Sequence, residues 1–224
     1  MKKNKENIIG CFENLTDKQL EILIKNKVDL KYHKKEIIAK QGSYVSHIIF
    51  IKSGYLKLYI ESEFDSKDLI INIFGPQQLI GLSSLFESTT YQYSVASLIE
   101  TEVCLFDIKE FKQMITSNAE FAMSLLKRSN KSTIHAYNQM YNLTHKQLNG
   151  RIASAFLYLS QQVFKNPKFK MLLSRSEMAN FTAMSTMSAV RAINDLKQQK
   201  IISDNNGVVE ILDVDALRKI SKFG

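Results

Sequence analysis

The sequence predicts an α+β chain with an N-terminal β jelly-roll barrel, a long central helix and a C-terminal helix pair followed by a β-hairpin. Three observations predict this order. Short β-type runs separated by polar turns fill residues 30–107, and apolar residues then repeat every three or four positions over about thirty residues. Two capped amphipathic segments and an Asn-Gly turn follow. We therefore expect two domains, residues 1–142 and 143–224.

The first domain begins with a short amphipathic helix over residues 14–23, which Thr16 caps. After it, six runs have the length and composition of β-strands. Their spacing is typical of a sandwich or jelly roll, and an alternating α/β nucleotide fold is not indicated. The runs cover residues 36–39, 48–51, 55–60, 69–74, 94–98 and 102–106.

The central helix carries one apolar stripe. At 1.5 Å per residue, about thirty residues span about 45 Å, which is longer than a small barrel can bury. Leu126, Thr133 and Met140 fall in heptad phase, which favours pairing with a second copy over packing on the barrel. The stripe comprises Ala122, Leu126, Ser129, Thr133, Tyr137 and Met140, and Phe121, Leu125 and Ile134 widen it.

The sequence of residues 173–200 predicts a helix-turn-helix. Ser174 with Glu177 forms a capping box for a first helix, and Ser185 caps a second one. A three- or four-residue turn between two such helices places the second in a DNA major groove. In the second helix Ala189, Ala192, Ile193 and Leu196 form the inner face, and Thr186, Met187, Ser188 and Arg191 face solvent.

Two β-type runs around Asn206-Gly207 then predict a hairpin, which makes the unit a winged helix. The alternative is a small helical subdomain with a hairpin and no role in DNA binding, since Ala183 stands where many such turns carry glycine. Charge favours the DNA interpretation. Residues 143–224 hold 12 Lys and Arg against 6 Asp and Glu, a net of +6, whereas the first 142 residues carry a net of +2.

Composition excludes several classes of protein. Of the 224 residues 45% are hydrophobic, enough for real cores, but no apolar run reaches eighteen residues. Residues Met1–Lys5 lead into no signal-peptide stretch, so we expect a cytoplasmic protein. Cys11 and Cys104 are far apart, which indicates neither a disulfide framework nor a Cys-rich metal site. We find no phosphate loop, clustered metal ligands or paired nucleophile and histidine, and expect no enzyme.

In this order of elements, the chain resembles a Crp/Fnr-type transcription regulator over nearly its full length. Residues 51–59, 74–81 and 150–153 carry the likeness, and residues 173–196 carry it best. The resemblance implies a homodimer whose cyclic-nucleotide-binding-like sensor domain biases the orientation of its DNA-reading helices. It also implies double-stranded DNA and RNA polymerase as partners.

Departures from the family pattern bear on the effector. We call residues 74–94 the cassette. In the corresponding segment, cyclic-AMP-binding members have a glutamate after the glycine and an arginine about ten residues later. Here Leu82 follows Gly81, and residues 91–94 read Tyr-Gln-Tyr-Ser. A buried phosphate without a cationic partner is costly, so the sequence argues against a cyclic nucleotide. Iron-sulfur members need four thiolates, and this chain has two cysteines.

Other effectors stay open. Haem is possible, but the four histidines are scattered and nothing supports a ligand role for any of them. We hypothesise an apolar pocket for a small hydrophobic or aromatic molecule, or a pocket filled by its own side chains in a regulator that needs no effector. Its expected lining is Leu82, Leu85, Tyr93, Ile134 and Tyr137.

On the DNA side, Arg191 is retained while Thr186 and Met187 replace the Arg-Glu pair that family members often show. We expect Arg191 to pair with guanine, and Met187 or Thr186 to meet a thymine methyl, at a half-site rich in A and T. Ser185 and Ser188 could bond phosphates or bases, and Arg175 could bond a phosphate. An Arg191–Asp195 salt bridge is the structural alternative. A protein-interaction module that lost DNA binding is the rival class.

Overall fold

The computed structural model describes residues 9–63, 67–86 and 89–224. Residues Met1–Lys5, examined above for a targeting signal, lie outside these ranges. The chain forms two compact units, one from Met1–Ile60 with Phe74–His135 and one from Glu61–Ile73 with Ala136–Gly224. Within the described ranges, no helix combines the length and apolar character needed to cross a membrane.

The N-terminal strands form two four-stranded sheets, ordered β1-β8-β3-β6 and β2-β7-β4-β5. Strand β8 pairs antiparallel with β1 and β3, and β7 pairs antiparallel with β2 and β4. This arrangement confirms the predicted fold class. The strands are β1 Val28–Tyr32, β2 Ile37–Ala39, β3 His47–Ser53, β4 Leu56–Ile60, β5 Leu69–Phe74, β6 Leu79–Ile80, β7 Ser94–Ser97 and β8 Thr101–Asp107.

Strands β1 and β6 were not expected from the sequence. β1 is an edge strand whose residues 28–31 are exposed on both faces, so it lacks the alternation that marks a half-buried strand. Its conformation is fixed by backbone pairing with β8, in a register that runs from Val28 opposite Leu105 to Tyr32 opposite Thr101. β6 has two residues, too few to carry a pattern.

A cluster of phenylalanine rings forms the core beside the first sheet. Helices α1 (Ile9–Phe12), α2 (Asp17–Asn26) and α3 (Ile108–Ser117) surround it. Thr16 caps α2 as predicted, in a reciprocal capping box with Gln19. Ring centroids lie 5.2 to 6.4 Å apart, in the tilted and edge-to-face arrangements that aromatic pairs prefer. The rings belong to Phe12, Phe50, Phe106, Phe111 and Phe121.

The long helix α4 spans Ala119–His145, 27 residues. Phe121 and Leu125, which we expected to widen the stripe, are instead buried in the phenylalanine core, because helical rotation places them opposite the exposed stripe. Of the predicted stripe, Leu126, Thr133, Tyr137 and Met140 are exposed, and Ala122 and Ser129 are half-buried. The exposed apolar stripe comprises Met123, Leu126, Ile134, Tyr137, Met140 and Tyr141.

The C-terminal unit contains the predicted helix pair and wing. A third strand, β9, was not expected, and it pairs with β11 to give a sheet in the order β10-β11-β9. A π-helical stretch, Leu159–Val163, follows α5. The elements are α5 Leu148–Tyr158, β9 Lys168–Lys170, α6 Arg175–Phe181, α7 Thr186–Gln198, β10 Ile202–Asn205, β11 Val208–Ile211 and α8 Val214–Phe223.

Gly54 permits the turn between β3 and β4, and we expect Gly54→Ala to destabilise the protein. Its φ is +90°, and an added Cβ would lie 2.2 Å from Thr101 Oγ1 and 2.7 Å from the carbonyl oxygen of Glu100. The loss should exceed about 2 kcal/mol in the free energy of unfolding, measured by urea denaturation. Gly42→Ala is the matched control, since φ is +82° and nothing lies within 4 Å of the added Cβ. Equal losses for the two variants would contradict the prediction.

Candidate functional site

The helix-turn-helix begins with the predicted capping box. Ser174 Oγ accepts the backbone N–H of Glu177 at 3.2 Å, and the Glu177 carboxylate accepts the backbone N–H of Ser174 at 2.9 Å. The turn after α6 places Ala183 at φ +49°, the left-handed region that disfavours residues with a Cβ by about 1 kcal/mol or more. The turn is held in place in part by Thr182, whose buried hydroxyl donates to the carbonyl of Met178 at 2.8 Å.

Helix α7 buries the face that the sequence predicted. Its inner residues pack into the C-terminal unit, and their spacing of three and four residues leaves the opposite side of the helix in solvent. That outward side carries a row of side chains one turn apart. The buried residues are Ala189, Ala192, Ile193 and Leu196, and the exposed row is Met187, Arg191, Asn194 and Gln198.

Sequence reasoning did not name Asn194 and Gln198 as members of this row. Both follow Met187 at i+7 and i+11 and are exposed, so the helical period that identified the inner face would also have found them. Thr186 is exposed beside the row. Amide side chains of this type can bond an adenine edge at two points, as a guanidinium can bond guanine.

Ser185 and Ser188 are hydrogen-bonded to each other at the start of α7. Ser185 Oγ accepts the backbone N–H of Ser188 at 3.1 Å and lies 2.9 Å from Ser188 Oγ. Ser185 is thus the N-cap that the sequence predicted, and its exposed hydroxyl sits at the positive end of the helix dipole. Contacts of these two serines with DNA remain a prediction.

Arg191 is exposed and keeps its guanidinium available. No ion pair joins it to Asp195 among the described residues, although the two are four positions apart on α7. The Arg191–Asp195 salt bridge that the sequence allows is therefore not observed.

Arg175 is held by the wing. Its guanidinium lies 2.6 Å from Asp204 Oδ2, and the other carboxylate oxygen of Asp204 accepts the backbone N–H of Gly207 at 3.2 Å. The Asp204 side chain is only 12% exposed. Asn206 and Gly207 both have positive φ, as a type I′ hairpin turn requires. Asp204 thus ties the wing turn to the first helix of the motif and occupies part of the guanidinium that we expected to bond a phosphate.

In the N-terminal unit, neutral side chains occupy the cassette positions discussed above. Leu82, half-buried, follows Gly81, which has φ +105°. Tyr91 is buried, and its hydroxyl donates to the carbonyl of His47 at 3.0 Å. The Tyr93 ring lies 5.8 Å from the Tyr91 ring. Burial raises the pKa of the Tyr91 hydroxyl to about 12, so it carries no charge at neutral pH.

The five residues predicted to line a pocket have different environments. Leu85 is buried in the phenylalanine core, and Leu82 packs against that core. Tyr93 packs against a separate apolar cluster that contains Tyr91. Ile134 and Tyr137 are 59% and 66% exposed on the stripe of α4. The effector pocket remains a prediction.

The cysteines have the character of core residues. Cys11 and Cys104 are buried and free, and burial raises the pKa of both thiols, that of Cys104 to about 12. Protonated thiols are poor metal ligands. In the part of the chain that the structure describes, no three His, Cys, Asp or Glu side chains are grouped to hold a metal ion.

Comparison with known proteins matches two family models, a cyclic nucleotide-binding domain over residues 29–118 and a Crp-like helix-turn-helix domain over residues 150–220. The chain is 24% identical to the transcriptional activator protein anr of Pseudomonas aeruginosa, over 87% of this chain and 80% of that protein. It is 24% identical to the cAMP-activated global transcriptional regulator CRP of Salmonella typhimurium, over 88% and 95% of the two chains. The solved structure of FixK2 from Bradyrhizobium japonicum has the same fold, with a TM-score of 0.79 at 17% identity, over 87% of this chain and 96% of that one.

We expect Asp204→Ala to destabilise the C-terminal unit. The change removes a charge-assisted bond to Arg175 and leaves the Gly207 N–H without its partner, a loss of about 1 to 3 kcal/mol. Glu210→Ala is the control, because the Lys168–Glu210 pair at 3.0 Å is exposed at both ends and should contribute less than about 1 kcal/mol. Urea denaturation measures both variants, and a larger loss for Glu210→Ala would overturn this ranking.

Proposed function

The chain belongs to the Crp/Fnr-type transcription regulators, and on that premise we propose that it reads a specific DNA sequence as a homodimer. The outward row of α7 carries this proposal. A capped helix buries one face in its own unit and presents a thioether, a guanidinium and two amides on the other. These groups match the donors, acceptors and methyl groups of a major groove.

Each exposed side chain of the row has a proposed partner. Arg191 bonds a guanine, Asn194 and Gln198 are placed to bond adenines, and Met187 or Thr186 contacts a thymine methyl. Ser185 bonds a phosphate at the N-terminus of α7, where the helix dipole favours an anion. The resulting half-site is richer in A and T than sites read by an Arg-Glu pair.

The exposed stripe of α4 supports the proposed homodimer. Ile134, Tyr137, Met140 and Tyr141 are each more than half exposed on one side of the helix. A second copy would cover the same stripe by the same residues, as two-fold symmetry requires. The dimer would then present two reading helices to half-sites about 34 Å apart.

For the sensor domain we propose control by a small apolar or aromatic ligand and not by a cyclic nucleotide. Support comes from Leu82 and the uncharged Tyr91 and Tyr93 in the cassette. A specific observation also favours a second candidate, a regulator that needs no effector: the Tyr91 side chain is already packed and hydrogen-bonded inside the domain. DNA affinity measured with and without cyclic AMP, and before and after removal of small molecules under denaturing conditions, separates these candidates.

The remaining proposals follow from the family. We place the protein in the cytoplasm, with RNA polymerase as a further partner and without catalytic activity. The relatives named above are transcription regulators, which supports this assignment.

Arg191→Ala should weaken binding to the preferred site by about 1 to 3 kcal/mol, or about fivefold to 150-fold. The wild-type protein first selects its site from random duplexes, and fluorescence anisotropy then compares the selected and scrambled sequences. Arg218→Ala, which removes an exposed arginine on α8, controls for charge. Equal affinity of the wild-type protein for selected and scrambled duplexes would exclude sequence-specific reading and would favour a protein-interaction module.

Replacing Ile134 and Tyr137 together by Glu should yield monomers, because four carboxylates would face one another in the apolar interface. Size-exclusion chromatography with light scattering gives the mass of the particle. Ser132→Glu, also exposed on α4 but on the other side of the helix, should leave the dimer intact. A dimeric mass for the double variant would place the interface elsewhere.

A further inference from the structure

The turn of the helix-turn-helix contains backbone carbonyls that its own helices do not satisfy. Helix α6 ends at Phe181, and the last carbonyls of any helix lack intrahelical donors. The backbone N–H groups of Thr182 and Met184 reach back to Ala179. The carbonyls of Phe181 and Ala183 instead accept hydrogen bonds from outside the motif.

Two side chains supply these bonds, and both come from the helices that precede the motif. Gln139 of α4 donates from Nε2 to the carbonyl of Phe181 at 2.9 Å. Arg151 of α5 donates from Nη1 to the carbonyl of Ala183 at 3.3 Å, and its Nε donates to the carbonyl of Lys146 at 2.9 Å. Arg151 therefore connects the segment just after α4 with the turn just before α7.

The surroundings of the turn hold the acceptor of one of these bonds in place. Phe181 is fully buried, and its ring packs against that of Tyr158 with centroids 5.7 Å apart. Its carbonyl is therefore fixed in position, and the bond from Gln139 is partly shielded from water. Gln139, Arg151 and the turn all lie in the compact unit that includes Ala136–Gly224.

We propose that Gln139 and Arg151 are positioning residues that fix the direction of α7 relative to residues 136–145 of α4, and through it the spacing of DNA half-sites that a dimer accepts. The inference rests on the proposed homodimeric reader. The two side chains hold the turn that immediately precedes the reading helix, and α4 carries the stripe that pairs the subunits.

Half-site spacing is a sensitive measure of this angle. One base pair added between half-sites moves one of them by about 3.4 Å and rotates it by about 34°. Two rigidly held reading helices match one spacing only, whereas two that can swing accept neighbouring spacings. Affinity for a single half-site depends on the outward row of α7 and not on this angle.

The test uses the full-length protein and palindromic duplexes built from the selected half-site, with the selected spacing and with one base pair added or removed. The wild-type protein should lose at least about tenfold in affinity on the altered spacings. Gln139→Glu, which removes the donor, and Arg151→Lys, which cannot reach both carbonyls, should lose about threefold or less. Their affinity for a single half-site should stay within about twofold of their matched controls.

The controls carry the same chemical changes outside the contacts. Asn138→Asp adds the same charge at an exposed neighbouring position, and Arg218→Lys makes the same exchange on α8. Gln139→Met replaces Gln139→Glu if that variant unfolds, and Arg151→Lys decides alone if both Gln139 variants unfold. A spacing penalty as large as that of the wild type, or a matching loss on single half-sites, would overturn the inference. Failure of the wild type to select any two-half-site sequence would overturn the proposed homodimeric reader as well.

Discussion

Helix α4 imposes the main constraint on this molecule, because the chain leaves part of the helix's apolar surface exposed. Near its start, Phe121 and Leu125 are part of the phenylalanine core. On the other side, Leu126, Ile134 and Tyr137 stay more than half exposed. Each buried side chain of this size gains about 1.5 to 3 kcal/mol, so the exposed stripe represents a large unrealised stabilisation in the monomer. The homodimer that we propose would bury this stripe.

Local signals in the sequence predicted much of the C-terminal unit and the start of α2. The cap at Thr16, the capping box at Ser174, the cap at Ser185 and the Asn206-Gly207 turn all depend on residues within a few positions of each other, and the structure contains each of them. Long-range partners were missed. Strand β1 is fixed by β8, some seventy residues away, and Phe121 is buried by rings from distant parts of the chain. Apolar residues repeated along a helix show that the helix has apolar faces. They do not show which of those faces the core of the protein covers.

The number of basic residues in the sequence overstates how many cations are available to DNA. The 12 Lys and Arg of residues 143–224 include Arg175, whose guanidinium bonds Asp204, and Lys168, which pairs with Glu210, and the net of +6 already counts both acidic partners. Neither pairing could be read from the sequence, because the partners lie 29 and 42 positions away. The exposed Arg191 is not paired in this way. The charge distribution therefore supports attraction to a phosphate backbone, while the sequence-specific reading that we propose depends on the geometry of α7.

The cassette of the N-terminal unit shows how one domain shape can support a different chemistry. A cyclic phosphate needs a cation that remains charged when buried, and here Gln92 is exposed while Tyr91 is buried and neutral. The Tyr91 hydroxyl satisfies the carbonyl of His47, so placing an anion there would break a bond and supply no opposite charge. This supports the proposal that a ligand entering this domain is uncharged where it meets the two tyrosines, and equally the proposal that the packed tyrosines fill the space themselves. Under either proposal the control of this protein differs from that of a cyclic-AMP-activated relative, even though the two chains align over most of their length.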